Sequence, residues 1–201
     1  MRSYYTDYSR EANNYIEKLI TTLKLLDMQT VSDVINTLTD VLSENGTVYV
    51  FGNGGSASTA SHMQNDFNRG VSECSDEKFK FCCLSDNVAT ITAIANDYSY
   101  DDIYFRQLEK RLLPQDLIIA ISGSGNSENV IKAVKYAKSQ GNKVIGITGF
   151  DGGELKKLAD FNLHADINDM QIAEDVHLIL NHLMMSVLRQ KLINGAKKNG
   201  L

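Results

Sequence analysis

The chain has 201 residues, 43% of them hydrophobic and 22% charged, and 20 basic against 25 acidic side chains give it a formal charge of −5. That is enough apolar material to bury the core of one domain, and it excludes a disordered or fibrous chain. An acidic chain with no block of five like charges has no electrostatic grip on phosphodiester backbones, so direct nucleic-acid binding is not expected.

The opening stretch, MRSYYTDYSREANNYIEKL, has no apolar leader segment, and nowhere do eighteen apolar residues run together. A cytoplasmic protein that does not cross a membrane is therefore expected. Apolar residues then recur every three or four positions from Ser9 to about Ser43, through Tyr15, Leu19 and Leu23 and again through Val31, Val34, Ile35 and Leu38. This predicts two helices, the second capped or begun by Ser32 and Asp33 and stopped by Gly46.

Beyond that pair, short apolar runs alternate with helical patterns. Thr47 to Phe51 precedes a glycine loop and the helical stretch Ala57 to Phe67; Phe79 to Leu84 precedes Val88 to Ala95; Leu117 to Ile121 precedes SGSGNS and Val130 to Ser139; Lys143 to Thr148 precedes GFDGG and Leu155 to Ala159. Asn162 to Ala165 adds a fifth strand, and Met170 to Ile193 reads as a long terminal helix. Continuous apolar strands joined by helices imply an α/β fold: a doubly wound, parallel five-stranded sheet flanked by helices, with right-handed crossovers. Pro114 is the sole proline and no flexible spacer appears, so residues 1–201 form one domain, a helical pair over 1–45 and an α/β body over 46–201. Cys74, Cys82 and Cys83 cannot all pair internally and are read as reduced structural thiols.

Two strand-to-helix loops are rich in glycine and serine: GNGGSAS, Gly52 to Ser58, and SGSGNSEN, Ser122 to Asn129. Glycine lets backbone N–H groups approach an anion, the helix start adds partial positive charge, and serine hydroxyls donate further bonds. Neither loop ends in the Lys-Ser/Thr of a P-loop, and GNGGSAS lacks the GxGxxG spacing, which ranks nucleotides low. In an open parallel sheet both loops fall at the carboxyl edge, where ligands bind. Ser122, Ser124 and Ser127 would form a phosphate cup, with Asn53, Gly54, Gly55 and Ser56 facing the rest of the ligand.

A second constellation is ionisable. His62 and Asp66, four apart, project from one helix face near the glycine loop. Glu174 and His182, eight apart on the terminal helix, differ by roughly 80° in direction, whereas His177 and His182 differ by about 140°. Two imidazoles and two carboxylates suit a divalent metal such as zinc, and equally suit proton transfer. A lone helical histidine, such as His164 or His177, is read as a surface or packed residue, and Asn96 and Asp97 by themselves read as an ordinary helix end.

The strings FGNGGSASTASHMQNDF, AIANDYSYDDIYFRQLE, ISGSGNSENVIKAVKYAKSQG, GITGFDGGELKKLAD and AEDVHLILNHL together resemble the sugar isomerase (SIS) domain family, nearest its phosphoheptose isomerases, over nearly the whole chain. The resemblance implies an aldose-ketose isomerase that converts sedoheptulose 7-phosphate to D-glycero-D-manno-heptose 7-phosphate for bacterial surface polysaccharides such as lipopolysaccharide, capsule or S-layer glycan. It implies Asp66 and His182 as catalytic residues. Substrate would be bound by Asn53, Gly54, Gly55, Ser56, Asp66, Asn96, Asp97, Ser122, Gly123, Ser124, Ser127 and Glu174. One zinc would be held by His62, Asp66, Glu174 and His182. It also implies a homotetramer, with Arg69 reaching a neighbour's site. Three positions depart from the family's pattern: Asp66 stands for a glutamate, Glu174 for a glutamine and Gly123 for a threonine. The shorter Asp66 must still come within about 2.6–3.2 Å of the proton it moves, which asks for compensation by backbone or substrate pose. Glu174 adds a negative charge that favours a bound dication. Alternative expectations are a non-catalytic SIS module that senses a sugar phosphate or docks on a protein, as relatives that bind the replication initiator do, and an isomerase of another sugar phosphate.

Overall fold

The computed structural model describes residues 6–198, so the first residues of the N-terminal stretch read above lie outside them. Five strands, β1 (Thr47–Gly52), β2 (Lys80–Cys83), β3 (Leu117–Ser122), β4 (Lys143–Thr148) and β5 (Phe161–His164), form one all-parallel sheet in the order β2-β1-β3-β4-β5. The helices are α1 (Ser9–Lys24), α2 (Met28–Ser43), α3 (Gly55–Asn65), α4 (Val88–Asp97), α5 (Phe105–Leu108), α6 (Glu128–Ser139), α7 (Gly153–Leu158) and α8 (Met170–Lys198). A π-helical turn, Asp66–Val71, extends α3, and short 3-10 turns span Ser72–Cys74 and Tyr100–Asp102.

The apolar runs divide by parity between the two faces of the sheet. Val48, Val50, Leu117, Ile119, Ile121, Ile145 and Ile147 join the core covered by α2, α3 and α8. Tyr49, Phe51, Ile118, Ala120 and Val144 join the opposite core, with Leu108, Val130, Val134 and Leu155 from the helices. Because successive strand side chains point to opposite faces, a strand buried on both must be apolar at every position. All six residues of β3 are buried accordingly.

The first helical boundary differs from the expected one. Asp27, not Ser32 or Asp33, caps α2: its carboxylate accepts from the Gln29 amide at 2.9 Å and the Thr30 hydroxyl at 2.8 Å. Ser32 and Asp33 lie inside the helix. Three of the four crossover helices, α3, α6 and α7, begin two residues before their apolar periodicity starts, since small or polar residues (Gly55 and Ser56, Glu128 and Asn129, Gly153 and Glu154) begin the first turn. All three cysteines are free thiols; burial pushes Cys83 up to about 12, well outside the reactive range. Among the described residues no helix is long and apolar enough to cross a membrane.

Candidate active site

The chain leaves β1 for β2 on one side and returns for β3 on the other, so the sheet has its switch point between the carboxyl ends of β1 and β3. The two helix-entering loops diverge there and leave a crevice, the usual ligand position in such sheets. Both glycine-serine loops flank it, at the starts of α3 and α6.

In the second loop the Ser122 and Ser127 hydroxyls lie 3.4 Å apart, and the Gly125 amide donates to Ser122 Oγ at 3.1 Å. Ser127 occupies the N-cap of α6, yet its hydroxyl does not cap the helix. An uncapped start leaves first-turn N–H groups for an anion, beside the three hydroxyls. Gly125 needs to be glycine: its φ is +67°, and a β-carbon there would stand 2.0 Å from the Gly152 carbonyl oxygen. The Leu155 amide donates to the Gly125 carbonyl at 2.9 Å, and so the loop after β4 braces the serine turn. At Gly123 the space for a β-carbon is taken by Met170, whose sulfur would lie 2.8 Å from it. A thioether thus stands where the family pattern places a threonine side chain.

The first loop opens α3. Gly54 caps the helix with φ 54°, and the Glu174 carboxylate presses on Gly55 so closely that any side chain there would overlap it. A carboxylate at the N-terminus of a helix is favoured by the helix dipole. Ser56 is 6% exposed and faces Gly52 rather than solvent. Asn53 makes a reciprocal amide pair with the buried Asn129, 2.9 Å in each direction. The Tyr100 hydroxyl donates to Asn53 Oδ1 at 3.1 Å, and the Tyr104 hydroxyl lies 3.0 Å from the same oxygen while also reaching the Gly52 carbonyl. Burial pushes Tyr104 up to about 12, so it stays a protonated donor.

Along α3 and its π-helical extension, His62 and Asp66 meet His182 of α8. His62 Nε2 stands 3.0 Å from His182 Nε2 and 3.2 Å from Asp66 Oδ2, and His182 Nε2 is 3.7 Å from the same oxygen. Asn181 donates to Asp66 Oδ2 at 2.7 Å and fixes the carboxylate. π-helical turns inside α-helices recur at functional sites; here the turn begins at Asp66, which is buried, while both imidazoles are exposed. Ligand atoms held tetrahedrally at about 2.0–2.1 Å from one ion are about 3.3 Å apart, close to the three separations observed. The donor set therefore fits a zinc-sized divalent cation. Glu174 is not in this cluster and stands instead on the glycine loop.

The remaining candidate residues are more dispersed. Asn96 and Asp97 end α4, exposed, with the Asn96 amide donating to Asp97 at 2.9 Å. Arg69 is exposed and faces Glu73 at 3.5 Å. His177 is wholly buried in α8 and neither ring nitrogen has a hydrogen-bond partner, whereas His164 lies on β5, not on a helix, with Nδ1 3.0 Å from the Thr148 hydroxyl. Asn129, Asn181, Tyr100 and Tyr104 are polar residues of the site that sequence reasoning missed. Asn129 closes the quoted SGSGNSEN string and Asn181 adjoins His182, which are the only local signals either carried.

Residues 7–149 match the SIS domain family. The chain is 34% identical over 187 residues to a probable phosphoheptose isomerase of Thermoplasma acidophilum, covering 90% of this chain and 99% of that one. It is 35% identical over 179 residues to the phosphoheptose isomerase of Aliarcobacter butzleri, covering 84% and 94%. Solved phosphoheptose isomerases of Neisseria gonorrhoeae and Francisella tularensis superpose with TM-scores of 0.82 and 0.83, each at 26% identity; they cover 90% and 92% of this chain, and 96% and 100% of their own chains are matched.

Proposed function

The chain belongs to the SIS domain family, in its phosphoheptose isomerase branch, and on that premise we propose that it interconverts sedoheptulose 7-phosphate and D-glycero-D-manno-heptose 7-phosphate. The observation that carries the reading is the convergence of His62, Asp66 and His182 from two helices, one of which starts at the crevice loop. His62 is seven residues along α3 from Gly55, about 10 Å at 1.5 Å per residue. That spacing suits an extended sugar phosphate with its phosphate on the serine turn and its carbonyl end toward the imidazoles.

In this reading Ser122, Ser124, Ser127 and the start of α6 bind the phosphate, while Asn96 and Asp97 serve the sugar hydroxyls. Asp66 takes the proton from C1 of the ketose as His182 protonates the C2 carbonyl oxygen, giving the enediol. His182 then takes the C1 hydroxyl proton and Asp66 returns a proton to C2, so no oxidant or reductant is consumed. Asn181 holds Asp66 in place, and the 3.0 Å contact with His62 orients the His182 ring. Zinc held instead by His62, Asp66 and His182 would supply Lewis-acid polarisation of the carbonyl.

Homo-oligomerisation, in the tetrameric form expected for the family, completes the reading. Its support is the apolar surface left uncovered: Ile16 and Ile20 on α1, and Val88 on an α4 that buries no residue. Arg69 is exposed and free to reach a neighbouring subunit. Incubation with sedoheptulose 7-phosphate, with and without added zinc, is the direct test. An aldose phosphate resolved by NMR is the expected product, and no conversion under either condition rejects this substrate.

A further inference from the structure

We propose that Asn129 is a positioning residue: through its reciprocal amide pair with Asn53 it clamps the crevice at the sheet's switch point and sets how tightly the phosphate end of the ligand is held. The inference rests on the sugar-phosphate reading of the same crevice. It gives Asn53 a task beside direct ligand contact.

The last ladder pair between β1 and β3 is Gly52 with Ile121. Beyond it the two chains diverge into α3 and α6, on opposite faces of the sheet, and backbone pairing no longer fixes their separation. Asn53 is the next residue outward on β1. Asn129 sits in the first turn of α6, two residues after Ser127, and is 2% exposed. Its side chain crosses the crevice: Oδ1 accepts from Asn53 Nδ2 at 2.9 Å and Nδ2 donates to Asn53 Oδ1 at 2.9 Å. Asn129 Oδ1 also accepts from the Val130 amide at 2.9 Å, which fixes the orientation of its own amide group.

Asn53 is thereby saturated on its acceptor side. A carboxamide oxygen has two lone pairs, and Asn129, Tyr100 and Tyr104 all lie within 3.1 Å of it. It has no acceptor capacity left for a sugar hydroxyl. The same node gathers a third element, because Tyr100 and Tyr104 belong to the segment that follows Asn96 and Asp97. The glycine loop, the serine turn and the sugar-facing helix end are therefore referenced to one amide pair, and the hydroxyls of Ser122 and Ser127 stay at phosphate spacing only while it is intact.

The test is a double-mutant cycle on the full chain. Asn129→Ala, Asn53→Ala and the double variant are assayed with sedoheptulose 7-phosphate, and inorganic phosphate binding is measured by calorimetry. Each single variant should raise KM and the phosphate Kd in parallel by about tenfold, the loss of one buried hydrogen-bonded contact. kcat should stay within about threefold, and the double variant should be no worse than either single one. Tyr100→Phe removes one hydroxyl from an exposed side chain without opening a cavity, and should raise KM by severalfold, which keeps the idea testable if an alanine variant misfolds. Additive effects of Asn53→Ala and Asn129→Ala, or a fall in kcat at constant KM, overturn the proposal. Phosphate losses that follow this pattern in a protein unable to isomerise the heptose would reject the substrate assignment while leaving the clamp standing.

Discussion

His62 and His182, 120 residues apart in the chain, bring their Nε2 atoms to 3.0 Å, and the buried Asp66 lies within 3.7 Å of both. Two ring nitrogens at that distance share a proton or a metal ion. In either case the pair depends on Asp66 being held still. Asn181 does this with a single 2.7 Å bond. Replacing it with alanine should lower kcat by about 10–100-fold, the usual cost of losing the group that orients a ligand or base. The fold should persist, so near-native circular dichroism combined with full activity would show that Asn181 does not hold Asp66.

Gly125 couples two loops, and alanine there meets both a left-handed backbone and the Gly152 carbonyl oxygen at 2.0 Å. Backbone on both sides cannot yield cheaply. Gly125→Ala is expected to destabilise the protein by about 2 kcal/mol or more and to weaken phosphate binding. Urea unfolding measures the first effect and calorimetry the second; an unchanged midpoint would mean that the loop after β4 does not brace the serine turn.

Gly123 presents the opposite case. Its neighbour is the far end of Met170, a flexible side chain that is 39% exposed. Gly123→Thr should therefore be accommodated with a loss within about 1 kcal/mol, Met170 moving toward solvent. The added hydroxyl joins Ser122, Ser124 and Ser127, so KM for the phosphorylated sugar should fall severalfold. A KM no lower than that of the parent would show that the turn does not face phosphate.

His177 ties stability to acid. Burial pushes its pKa down to about 4, against an ordinary value near 6.5. Between pH 4 and 6.5 the unfolded chain binds a proton that the native state does not, so stability rises with pH across that window and is lost as pH falls. From pH 6.5 to 5 the loss amounts to roughly 1.5 kcal/mol, because the unfolded imidazole is only half protonated at the upper end. Urea titrations at the two pH values give the slope, which His177→Phe should flatten. A variant with the parent's slope would place the acid sensitivity elsewhere.

The middle of the sheet was legible from sequence because β1 and β3 lie inside the fold and are apolar on both faces over nearly their whole length. The ligand edge was legible because glycine and serine cluster together at the starts of α3 and α6, the two helices that flank the crevice. What escaped were contacts without local periodicity. Asn181 finds Asp66 across 115 positions, and Asn129 finds Asn53 across 76. Asparagine inside or at the start of a helix gives no hint of its partner. The cap at Asp27 was hidden by Ser32 and Asp33, equally good capping types one turn further on. The π-helical turn at Asp66 leaves no compositional mark at all.

The half-covered face of α4 has a thermodynamic corollary. A ten-residue helix is too short to hold itself together in water, and α4 rests on the core through the partly buried Ile91, Ile94 and Ala95. The order of its last turn, and with it the approach of Tyr100 to the crevice, depends on that thin contact. α4 is therefore the element expected to loosen first, so that the Tyr100 end of the crevice would open before any of the sheet unfolds.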